Sequence, residues 1–145
     1  MFKSILLPTD GSQLSERATQ TAIEFAKIHG ARITAVSVVQ PLPFVPLADA
    51  AVLPDPGVFD REVRSNLQAG LDKVLAAATA AGIECDAVLG EAMNPYEVIV
   101  KAAEERHCDI ILMASHGRKG LNKLFLGSET QKVLAHTHLP VLVLR

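Results

Sequence analysis

The segment Ala114-Ser115-His116-Gly117, followed after nine residues by Gly127-Ser128, has residue types and spacing suited to holding a phosphate. It directly follows Asp109-Ile110-Ile111-Leu112-Met113, a short apolar run that reads as a buried parallel strand. Ser128 opens a new helical pattern and is a good N-cap by residue type. In a strand–loop–helix unit of this kind, glycine lets the backbone approach phosphate oxygens, the N–H groups point inward, and the helix dipole favours negative charge. Arg118, Lys119 and Lys123 add cations within the loop, where they either contact an anion or form a solvated surface. Gly117 and Gly127 also have a plain reading as turn glycines, but their place between a buried strand and a helix start favours the phosphate site.

A second segment belongs with the first. In open parallel α/β sheets, ligands sit outside the carboxyl ends of the strands. Pro8-Thr9-Asp10 occupies that position after the first strand. Asp10 is suited either to accept from ribose hydroxyls or to fix its own turn, and the two roles are compatible. Val38, near the end of the second strand, offers an apolar wall for a base. Two better-known nucleotide patterns are absent: there is no G-x-x-x-x-G-K-[ST], and no G-x-G-x-x-G follows the first strand. No Ser–His–Asp or Cys–His arrangement can be assembled, so His116 reads as a structural group or a neighbour of the phosphate. Cys85 and Cys108 lie far apart without C-x-x-C spacing and read as small buried residues.

Strands and helices alternate through the chain. The first strand, Ser4–Leu7, stops at Pro8. A helix capped by Ser12 then carries Leu14, Ala18, Ala22, Phe25 and Ala26 on one side and ends at Gly30. The second strand covers residues 32–39, and a proline-rich stretch of about 17 residues follows, either a functional loop or one hiding a short turn over Leu47–Val52. The second helix, from near Gly57 to Ala81, has a stripe of Leu67, Leu71, Val74, Leu75 and Ala78. After a third strand at Cys85–Leu89, Asn94-Pro95-Tyr96-Glu97 predicts a helix start with a capping box. The glycine loop, a short helix from Ser128 and a last strand over Pro140–Leu144 complete the pattern. Five strands and four helices in alternation predict a three-layer, Rossmann-like α/β domain over residues 1–145 with a parallel sheet.

Bulk composition narrows the function further. The 145 residues are 49% hydrophobic and only 4% aromatic, without Trp, which suits a core of Val, Ile, Leu and Ala between strands and helices. A net charge of −2 and scattered cations disfavour nucleic acid as a partner. No apolar run approaches the roughly 20 residues of a membrane span, and the start lacks a signal-peptide pattern, so a cytoplasmic location is expected. The terminal run Val141-Leu142-Val143-Leu144 would leave an apolar open edge, a liability that pairing with the same strand of a second copy covers. A homodimer through this strand is therefore predicted.

Over its whole length the chain resembles the universal stress proteins. The residues that carry the resemblance are the opening strand with Pro8-Thr9-Asp10-Gly11-Ser12, and the stretch from Asp109 to Arg145 with Ser115-His116-Gly117-Arg118, Leu126-Gly127-Ser128 and Pro140-Val141-Leu142-Val143. The ATP-binding branch carries G-x2-G-x9-G-[ST]. Gly117, Gly127 and Ser128 match it, whereas Ala114 stands where the first glycine is expected. The resemblance implies a sheet ordered 3-2-1-4-5, homodimers, and ATP, with or without Mg²⁺, at the ends of strands one and four. It places Gly117, Arg118, Gly127, Ser128 and Glu129 around the phosphates, Pro8, Thr9 and Asp10 beside the adenosine, and Val38 and Met113 against the base. At Ala114 an ordinary backbone conformation would add only a methyl, whereas positive φ or tight phosphate contact would cost about 1 kcal/mol or more.

The function implied is a regulatory ATP-binding stress-response protein with at most slow hydrolysis, because no general base or magnesium ligand set is evident. A dimeric chaperone or adaptor of the same family without nucleotide is the alternative, and a small nucleotide hydrolase is a third.

Overall fold

The computed structural model describes residues 1–42, 55–117 and 126–145. Along them run β1 (Ser4–Pro8), α1 (Gln13–His29), β2 (Arg32–Val39), α2 (Pro56–Ala80), β3 (Cys85–Glu91), α3 (Pro95–Glu105), β4 (Ile110–Ala114), α4 (Ser128–His136) and β5 (Val141–Leu144). The strands form one sheet in the order β3-β2-β1-β4-β5, and every pairing is parallel. This is the predicted order. It reverses direction between β1 and β4, so the loops leaving those two strands diverge and leave a crevice at their carboxyl ends.

Alternation along the central strands divides the core into two. Ile5 and Leu7 of β1 face α1 and α2, where Ala18, Ala22, Leu71 and Val74 cover them. Leu6 points the other way with Val36 and Ile111, beneath Ile99 and Ala102 of α3 and Val133 of α4. The near-absence of large aromatics fits these thin layers: alanines on α1 and α3 let each helix settle close to the sheet. β1 and β4 are almost wholly buried, whereas every residue of the edge strand β5 is half-exposed.

Helix ends follow the expected chemistry in places and depart from it in others. The Ser12 hydroxyl accepts from the Ser15 N–H, and Gly30, at φ 59°, ends α1 in the left-handed conformation that glycine tolerates. α2 begins one residue before the expected Gly57, because the Asp55 carboxylate accepts from the N–H groups of both Gly57 and Val58. β3 runs two residues beyond the expected Leu89, to Glu91. The capping box predicted at Asn94 is not made. The Asn94 amide instead donates to the Glu97 carboxylate, and the Tyr96 N–H is capped from another helix by Glu129 Oε2 at 2.9 Å. Ser128 is not an N-cap either. Gly127 holds that position in extended conformation, its carbonyl accepts from the Gln131 N–H, and Ser128 is the first helical residue. The proline-rich stretch falls largely on residues 43–54, and the short turn expected over Leu47–Val52 lies wholly there, outside the described residues.

Candidate functional site

β1 delivers the first wall of the crevice. The Thr9 N–H donates to the Val36 carbonyl at 2.9 Å, and the Thr9 carbonyl accepts from the Ser37 hydroxyl at 2.7 Å, so the residue is fixed to β2 on both sides. Its hydroxyl meets that of Ser15, which in turn donates to the Ser12 carbonyl. Beyond this buried network the chain turns through Gly11 at φ 73°, a conformation that only glycine adopts at little cost. Asp10 closes the turn, with Oδ1 accepting from the Ser12 N–H at 2.9 Å.

The second wall comes from β4 and α4. Ala114 ends β4 in ordinary strand conformation, paired with Leu144 of β5 and packed into the core on the α1 side. Of the two backbone situations open for this residue in the sequence, the structure shows the undemanding one. Ser115 is fully buried, and its carbonyl is an anchor that accepts from the Gly127 N–H at 2.8 Å and from the Thr130 hydroxyl at 3.1 Å. A Cβ on Gly127 would lie 2.6 Å from that carbonyl oxygen, so glycine here answers a close approach of backbone to backbone. A Cβ on Gly117 would lie 2.5 Å from Asp10 Oδ2. The two loops singled out in the sequence therefore touch.

Between them lies a cavity of about 780 Å³, within the range of small-molecule sites. Pro8, Thr9 and Asp10 line it from β1, Val38 from β2, and Met113 and Ala114 from β4. Gly117, Gly127, Ser128 and Glu129 complete the far wall. Arg118, Lys119 and Lys123 lie outside the described residues. Among the described residues no side chain caps the N-terminus of α4, so its first-turn N–H groups and the positive end of its dipole are left facing this cavity. The Gly127 N–H is already committed to Ser115, which leaves the N–H groups of Ser128, Glu129 and Thr130 as the first-turn backbone donors without an intrahelical partner. The Glu129 carboxylate is occupied elsewhere: Oε2 caps α3, and Oε1 pairs with Lys132 at 2.9 Å, holding the lysine above its usual range. Glu129 can thus meet an anion with its N–H while its charge is turned to other partners.

Sequence reasoning missed one wall. Phe59, Val63 and Leu67 of α2 line the cavity together with Met93 before α3. The stripe of Leu67, Leu71, Val74 and Ala78 reads as core, and its lower part is. Phe59 and Val63 extend the same spacing two turns towards the helix start, beyond the end of the sheet, and there the stripe faces the cavity. Arg64 ties this half of the helix to the sheet edge by bridging Asp60 and Glu91. Among the described residues no group of three His, Cys, Asp or Glu side chains could hold a metal ion, and no helix is long and apolar enough to cross a membrane.

Residues 1–145 match the universal stress protein family throughout. The chain belongs to this family. A universal stress protein of Thermus aquaticus is 36% identical over 146 residues, covering both chains completely. One from Methanocaldococcus jannaschii is 35% identical over 150 residues, covering all of this chain and 83% of the relative. In three dimensions, a family member from Burkholderia pseudomallei superposes with a TM-score of 0.77 at 27% identity over 99% of this chain and 96% of its own. Universal stress proteins solved in complex with cAMP and with dAMP share the fold, with TM-scores of 0.69 and 0.70 at 20% and 18% identity. The universal stress protein described here thus has a three-layer sheet architecture with a cavity at the switch in strand order. The thiols have no part in that cavity. Burial pushes Cys85 up to about 11 and also raises Cys108, as expected for inert residues.

Proposed function

We propose that this universal stress protein binds ATP, with or without Mg²⁺, in the crevice between β1 and β4, and that it acts as a regulatory protein in the cytoplasm rather than as a dedicated enzyme. The observation that carries the reading is the uncapped N-terminus of α4, which opens into a cavity of about 780 Å³ bounded on its other side by the Asp10 turn. The N–H groups of Ser128 and Glu129, beside Gly117, receive phosphate oxygens. Arg118 is assigned to the same end from the sequence. Asp10, with Pro8 and Thr9, takes the ribose, and Val38 and Met113 pack on the base. Universal stress proteins of the same fold solved in complex with cAMP and with dAMP are consistent with a nucleotide of this class. Ala114 supports the reading too, because its methyl sits in a strand and in the core instead of filling a phosphate contact.

Binding has a route to the rest of the molecule. An anion drawn to the Glu129 N–H bears on the residue whose carboxylate caps α3, so the helices on that face respond together. β5 presents its open edge to a second copy, giving a homodimer whose interface adjoins β4. Titration calorimetry with ATP, ADP and AMP, with and without magnesium, tests the proposal alongside a phosphate-release assay. Binding with at most slow release is expected. Rapid turnover would identify a hydrolase, and silence for every nucleotide would leave the dimeric chaperone or adaptor.

A further inference from the structure

The nucleotide reading accounts for only part of the cavity. Its polar lining is gathered at one end, with Thr9, Asp10 and Ser15 beside β1 and the start of α4 after β4. The other end lies across the sheet, where α2 packs on β2 and β3. Phe59, Val63 and Leu67 of that helix line it, with Leu42 after β2 and Met93 after β3. Among the described residues the one polar side chain at this end is Gln40, and its amide donates to the Met93 carbonyl at 3.0 Å. The charged residues in the same turns of α2, from Asp60 to Arg64, do not line the cavity. Arg64 bridges Asp60 to Glu91 at the end of β3, which pins the first turns of α2 over the sheet. The apolar wall therefore stands in place before a ligand arrives. Met93 at its side is 58% exposed, an adaptable side chain with room to close on a guest.

We propose that this end is a second compartment of the site, which takes a short apolar substituent, alkyl or aryl, carried on the exocyclic amine of a purine nucleotide. The proposal rests on the nucleotide reading, which sets phosphates at α4, ribose at Asp10 and the base between Val38 and Met113. A ligand so placed runs from β4 across β1 to β2, and the next strand in the sheet is β3. The exocyclic amine of a purine lies on the edge remote from the sugar, so it points towards the α2 wall and Met93. An unsubstituted amine there finds no side-chain partner but Gln40 among the described residues. An apolar group in its place removes both its own surface and that of the wall from water.

Titration calorimetry of the full chain with ATP, N⁶-benzyl-ATP and N⁶-carboxymethyl-ATP tests the compartment. The benzyl nucleotide is expected to bind about ten- to a hundredfold tighter than ATP. The carboxymethyl nucleotide, whose charge meets the same wall, is expected to bind no tighter than ATP. Phe59→Ala removes the largest side chain of the wall, and Val63→Thr keeps the shape of its side chain while adding a hydroxyl. Each is expected to lower the ratio of benzyl to parent affinity by about threefold or more, a ratio in which a general loss of ATP binding cancels. A benzyl nucleotide no tighter than ATP overturns the compartment and leaves the nucleotide reading standing. So does a carboxymethyl nucleotide that gains as much as the benzyl one, or a ratio unchanged in both variants. If the wild type binds none of the three, the nucleotide reading falls and this inference with it.

Discussion

Gly117 and Gly127 have the same motif role in the sequence, and the structure predicts opposite consequences for replacing them. In Gly127→Ala the new Cβ starts 2.6 Å from the Ser115 carbonyl oxygen, which must retreat by roughly 0.8 Å to reach ordinary contact. That carbonyl also accepts the Gly127 N–H and the Thr130 hydroxyl, so its retreat strains both bonds. Overpacking of this kind costs about 1–3 kcal/mol, and for a chain of this size about 2 kcal/mol lowers the Tm by on the order of 5–8 °C. In Gly117→Ala the Cβ meets a side-chain oxygen, Asp10 Oδ2, at 2.5 Å, and the position is exposed and outside the left-handed region. The Asp10 carboxylate gives way only by straining its bond from the Ser12 N–H, at a cost of about 0.5–1.5 kcal/mol, and the loss of chain entropy on replacing glycine offsets about 0.4–1 kcal/mol of that. Differential scanning calorimetry is expected to show a clear drop for Gly127→Ala and little change for Gly117→Ala. ATP titration is expected to show at least about a tenfold loss for Gly117→Ala, whose Asp10 is displaced. A Gly127→Ala protein that melts with the wild type would refute the argument from close approach, and unaltered ATP affinity in Gly117→Ala would remove that contact from the site.

Three further predictions concern the scaffold. Ser37→Ala strips the Thr9 carbonyl of the hydroxyl that holds it at 2.7 Å, and a denaturant midpoint lower by the equivalent of about 1–3 kcal/mol is expected, where an unchanged midpoint would show the bond to be dispensable. In β5, Leu142 and Leu144 turn their backbone groups to β4, so Val143 presents its N–H to the open edge, and Val143→Pro is expected to convert a sedimenting dimer into a monomer at micromolar concentration. Dimers that persist would place the interface elsewhere. Because the Cys85 pKa is raised by burial, the folded state keeps a proton that the unfolded chain sheds; stability is therefore full below about pH 9 and falls as pH rises towards about 11, and Cys85→Ala is expected to flatten that decline in denaturation curves taken across the range.

The fold was largely legible in the residues themselves. Buried parallel strands must be apolar throughout, their crossover helices must carry one apolar stripe, and Gly30 marks a helix end by the one backbone conformation it tolerates, so local pattern and global architecture agreed. Legibility failed where a group's partner is remote in sequence. Asn94 and Glu97 have the spacing of a capping box, but Glu129, thirty-three residues from Tyr96, supplies the cap instead. Ser128 has the chemistry of an N-cap and lost that place to Gly127, because the close approach to Ser115 sets where α4 begins.

The candidate site divides along the same line. Composition and spacing determined that a glycine loop follows a buried strand and that the chain ends in an apolar strand. Only the tertiary structure decided that Gly117 meets Asp10 and that Phe59 and Val63 wall a cavity instead of a core. The reason is physical: strand and helix periodicities are written in neighbours along the chain, whereas a cavity is the space left between elements, and its shape exists only after they have packed.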